Sequence, residues 1–165
     1  MRVVEKLNNG QSSRHHQNKM GGTNLIYTVI VGVMSSIAIG MYFKVIETFY
    51  EIKVYTLLLN IDYFPILKTY KFTEMIEFSF HITVSIIIVF SMIFVMKKLN
   101  WTRRQTFWRI PTISVAIGMM IYPTTTLSER TPELLSAIAL IHWVIGHFLF
   151  GITVAFCIKL FLNRA

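Results

Sequence analysis

Apolar side chains fall along this chain in four runs, about 23–43, 74–96, 105–123 and 134–161, with polar or charged stretches between them. A helix needs roughly 20 such residues to cross a hydrocarbon core. A spanning segment must also satisfy its own backbone hydrogen bonds, which a helix does internally. The pattern therefore predicts an all-α fold: a polytopic integral membrane protein built as a four-transmembrane-helix bundle over 23–165. Residues 1–22 carry Asn8, Asn9, Gln11, Ser12, Ser13 and the pair Gly21 and Gly22 without an apolar period, and are expected to form a disordered polar cytoplasmic tail. Adjacent His15 and His16 in that tail read as solvated side chains.

The first run is long for the apolar part of a signal peptide, and its one cleavage-like pattern, Ala38-Ile39-Gly40, lies at the end of the run. It is expected to stay as a helix. Residues 44–73 are too charged to span. Lys44, Glu47, Glu51 and Lys53 punctuate a helix-like pattern before Pro65 breaks it, so this stretch is expected to be a helix extension or an external interfacial segment, followed by a loop. The third run has Pro111 in its first turns and Pro123 at its far end.

Composition agrees with a lipid environment: 54% of the residues are hydrophobic and 15% charged, against roughly 25% charged in a soluble domain. The formal charge of +8 would raise the question of nucleic acid. Its distribution answers otherwise, because Lys97, Lys98, Arg103, Arg104, Lys159 and Arg164 flank the apolar runs. The positive-inside rule and the anionic inner leaflet account for them, so the expected partner is the lipid bilayer and not nucleic acid. The same counting places both termini in the cytoplasm of a cell with the membrane as its inner, cytoplasmic one. The single Cys157 allows no intramolecular disulfide and no cysteine-based metal motif.

Small residues recur at helical spacing. Gly32, Ser36 and Gly40 lie on one face of the first span, and Gly146 and Gly151 on the last; such faces let backbones approach closely. Packing within the chain is the first reading of the Gly32 face, and a homo-oligomer the second.

Ionisable groups at membrane depth are costly and need a partner or a task. Glu74, Glu77, His81 and Ser85 are three, four and four residues apart, so they share one face of span two. At about 1.5 Å per residue, His81 and His142 lie at matching depth. His147, five residues on, points away from His142, so one of the two faces span two and not both. The set Glu74, Glu77, His81, His142 and His147 is the candidate polar membrane site. Three readings compete for it: interhelical hydrogen bonding, worth about 0.6 kcal/mol per bond; haem held by two imidazoles, or a metal held by Glu77, His81 and His142; and a proton path or small transporter. No catalytic nucleophile with an adjacent base, phosphate-binding glycine loop or zinc-protease motif is present, so no enzyme activity and no catalytic residue are expected.

From span two onward the chain resembles the YagU-type family of small bacterial inner-membrane proteins. The features that carry the resemblance are Phe80-His81-Ile82, the basic loop around Trp101, Tyr122-Pro123, Thr131-Pro132-Glu133 and His142-Trp143-Val144-Ile145-Gly146-His147, with Lys44 and Glu47 after span one. The resemblance implies a four-helix membrane protein of the envelope without an assigned reaction, and makes His81, Pro123 and His147 the best-matching positions. The longer polar tail and the shorter charged segment after span one depart from that pattern.

Overall fold

The computed structural model describes residues 25–61, 66–70 and 72–160; the expected disordered tail over 1–22, with His15 and His16, lies outside them. The protein is all-α and, among the described residues, has four helices long and apolar enough to cross a membrane. Helix α1 (Arg2–Tyr50) is described from Leu25, and is followed by the short α2 (Val54–Leu59), then α3 (Glu74–Lys98), α4 (Arg103–Ile121) and α5 (Ala137–Leu162). The four spans cover Leu25–Tyr50, Glu74–Lys98, Arg103–Leu127 and Ala137–Leu160.

Helix α1 runs seven residues beyond the expected end of span one, so Lys44 and Glu47 are helical. It stops where Glu51 takes a left-handed conformation with φ 58°. Leu57 and Leu59 of α2 are buried, and α2 folds back onto α1 and α3. Its entry is secured from outside the helix: the Glu47 carboxylate accepts from the Thr56 amide (2.8 Å) and hydroxyl (2.6 Å). A carboxylate there satisfies a first-turn donor and complements the helix dipole.

The α3–α4 connection is short and closed by local hydrogen bonds. Asn100, with φ 48°, occupies the left-handed position after α3. The Trp101 amide donates to the Met96 carbonyl and the Asn100 amide to that of Lys97, the pair of bonds of a Schellman motif. Thr102 then caps α4 reciprocally with Gln105. Because α4 begins at Arg103, Pro111 is its ninth residue and not part of its first turns; the missing amide donor falls inside the helix. Pro123 opens a 3-10 turn (Tyr122–Leu127) that carries the third span onward, and its side chain is exposed. The turn is tied to the residue just before α5 by the Tyr122 hydroxyl, which donates to the Ser136 carbonyl at 3.3 Å.

The main helix contacts are α3 with α1, α1 with α5, and α5 with α4. Among the described residues α3 and α4 barely touch, although only four residues separate them. Small residues explain where backbones do approach. A Cβ on Gly32 would come within 2.8 Å of the Ile86 Cα in α3, and one on Gly151 within 2.5 Å of the Pro111 Cα in α4. Ser36 is fully buried. The Gly32, Ser36, Gly40 face is thus covered by α3 of the same chain, with Phe78 against Gly40.

Candidate functional site

The polar face expected on α3 exists as a gradient from water into the bundle. Glu74 is exposed, ion-paired with Lys44 and accepting from the Tyr55 hydroxyl at 2.9 Å. The Lys44 ammonium lies 5.1 Å from the centroid of the Tyr55 ring. Burial, and then the hydrogen bond to Glu74, raise the Tyr55 phenol above its ordinary pKa of 10.0, because both disfavour a phenolate. One turn deeper, Glu77 is buried, and Arg130 from the loop before α5 binds both of its oxygens at 3.0 and 3.3 Å. Bidentate pairing is the geometry that a buried carboxylate needs. One more turn inward, the Ser85 hydroxyl stands 3.4 Å from His81 Nε2.

Where α3 and α4 part, a cavity of about 500 Å³ opens. Ile88, Ile117 and Phe150 make its walls mostly apolar, while Glu77, His81, Ser85 and His147 bring polar atoms to it. A largely apolar hollow with a few convergent polar groups is the usual form of a small-molecule site.

The two histidines of α5 have separate environments. His147 lines the cavity with His81, whereas His142 turns to α1: its Nδ1 lies 2.8 Å from the Tyr42 hydroxyl and its ring stacks on Tyr50. The depth match of His81 with His142 therefore does not translate into a shared site. Helix α5 is rotated so that Trp143 and His147, four residues apart, face α4. The Trp143 indole donates to the Gly118 carbonyl at 2.8 Å, and Gly118 leaves room for the His147 ring. The metal set of Glu77, His81 and His142 is not assembled: Glu77 is held by Arg130 and His142 by Tyr42. Among the described residues, no group of three His, Cys, Asp or Glu could hold a metal ion.

The tautomer of His147 follows from its partner. Nδ1 lies 2.9 Å from the Trp143 carbonyl oxygen, which only accepts, so Nδ1 is the donor. In the neutral ring Nε2 then carries the lone pair, and among the described residues no hydrogen bond occupies it. Sequence reasoning missed two parts of this site. One is Arg130, 53 residues from Glu77; the other is α2, whose Leu57, with Asn60 just after the helix, closes one side of the cavity. A lone arginine beside Glu129 and Glu133 gave no sign of a buried partner.

The chain matches no protein-family model, and neither a curated protein nor a solved structure is similar to it.

Proposed function

We propose that the chain is a non-enzymatic multi-pass protein of the bacterial cytoplasmic membrane, with both termini cytoplasmic, that holds a small membrane-soluble molecule in its histidine-lined cavity. Location and orientation rest on the Lys and Arg clusters beside the spans and on the YagU-type resemblance. The ligand reading rests on one observation: His147 is fixed through Nδ1 and so offers Nε2 as an acceptor inside a hollow whose walls are mostly apolar. A molecule with an apolar body and one hydroxyl donor fits that chemistry. The parting of α3 from α4 gives it a route from the bilayer.

The test uses Trp143, which lines the cavity. In a protein carrying Trp101→Phe and Trp108→Phe, a brominated alkylphenol should quench Trp143 saturably. His147→Leu should weaken that quenching by about tenfold, the value of one buried hydrogen bond, and His142→Phe should leave it unchanged. Quenching that is linear in probe, or indifferent to His147, overturns the reading.

A second reading has its own observation. His81 of α3 and His147 of α5 line the same cavity, and a carbonyl partner on Nδ1 is how ligating imidazoles are commonly oriented. Haem would then be the occupant. Protein from haem-supplied cells should show a Soret band that both His81→Ala and His147→Ala remove; colourless protein after haem titration excludes it.

A further inference from the structure

All six described acidic residues, Glu47, Glu51, Glu74, Glu77, Glu129 and Glu133, lie at the end of the bundle that carries α2 and the loop before α5. The opposite end gathers Lys97 and Lys98 from the last turn of α3, Arg103 and Arg104 from the first turn of α4, and Lys159 from the last turn of α5. Among the described residues none of these five cations has an acidic partner. Three of them surround a second cavity of about 360 Å³, where Lys97, Arg103 and Lys159 approach from three different helices. Its remaining wall is largely apolar, with Met96, Phe107 and Ile158 descending along the helices toward the membrane interior.

We infer that this cleft is a specific site for one anionic phospholipid, its phosphate held by Lys97, Arg103 and Lys159 and the start of an acyl chain lying against Met96, Phe107 and Ile158. Charge complementarity selects the headgroup, since three unopposed cations converge on one hollow. The amphipathic shape selects a lipid over a free anion: a phosphate ion alone would leave the apolar wall unoccupied, whereas a phospholipid fills both parts. Basic pockets between helices on the cytoplasmic side bind anionic headgroups in this manner. The site lies at the other end of the molecule from the histidine cavity and does not depend on it.

The experiment is native mass spectrometry of the full chain released from detergent, titrated with dioleoyl-phosphatidylglycerol, dioleoyl-phosphatidylcholine or inorganic phosphate. One phosphatidylglycerol should bind about tenfold more tightly than phosphatidylcholine, in keeping with the worth of a few basic side chains. Arg103→Gln with Lys159→Gln should abolish the preference. Lys98→Gln with Arg104→Gln removes the same charge outside the cleft, and should keep it. Equal losses in the two double variants would mean diffuse attraction and overturn the site. Competition by millimolar phosphate alone, at equal effect, would overturn the lipid as its occupant.

Discussion

Arg130 crosses from the loop before α5 to bind both carboxylate oxygens of Glu77, and only 7% of the Glu77 side chain is exposed against 49% of the Arg130 side chain. The pair ties α3 to the loop before α5. The asymmetry in burial sets the outcome of mutation. Arg130→Met leaves a buried carboxylate without its cation, and should cost about 1–3 kcal/mol. Glu77→Met leaves only a half-exposed arginine and should cost less. Thermal unfolding of both variants in one detergent gives the order, and a larger loss for Glu77→Met would refute it.

The α3–α4 turn is held by local geometry. Thr102→Ala removes the reciprocal cap of α4 and should cost about 1 kcal/mol. Asn100→Gly removes the side chain from a left-handed residue and should stabilise by a few tenths up to about 1 kcal/mol, whereas Asn100→Val should destabilise. Tm shifts in opposite directions at neighbouring positions are the signature to look for.

Glycine tolerance should follow what each missing Cβ would meet. At Gly151 it is the Pro111 backbone, which cannot swing aside, so Gly151→Ala should cost about 1–3 kcal/mol. At Gly40 it is the outer edge of the Phe78 ring, which can rotate, so Gly40→Ala should cost much less. Equal Tm losses at the two sites would contradict this packing.

Alkaline stability should depend on Tyr55. Its folded pKa lies above the ordinary 10.0, so the neutral phenol is the form the folded state favours. That contribution is complete below the unfolded pKa and is lost as pH rises from there through the folded value. Tm of the unmodified protein should therefore fall faster above about pH 10 than that of Tyr55→Phe. Parallel curves would show that Tyr55 does not carry the effect.

The spans were legible because lipid imposes a length and composition that a run of apolar residues displays directly. Their ends were less so: α1 continues past Lys44 because Lys44 and Glu47 find partners in Glu74 and Thr56, and a charge in sequence does not reveal whether it is neutralised. The polar face of α3 followed from helical spacing alone. The choice between His142 and His147 could not, since it depends on how α5 is rotated, and that is set by Trp143 and His147 packing on Gly118 of another helix. Pro111 falls beyond the four amides that a helix start leaves free whether α4 begins at 105 or at 103; Thr102 and Gln105 carry the signal of the true start.

The neighbour order α3, α1, α5, α4 also bears on how the protein is made. During synthesis α3 emerges to find α1 already in the bilayer, but α4 emerges before α5, the helix that holds nearly all of its contacts among the described residues. It must wait in lipid, tethered by its turn, until α5 arrives to join it to the rest. A ribosome stalled before residue 137 would leave α4 loose, and membrane quality-control proteases should recognise such a truncated product well before they attack the finished chain.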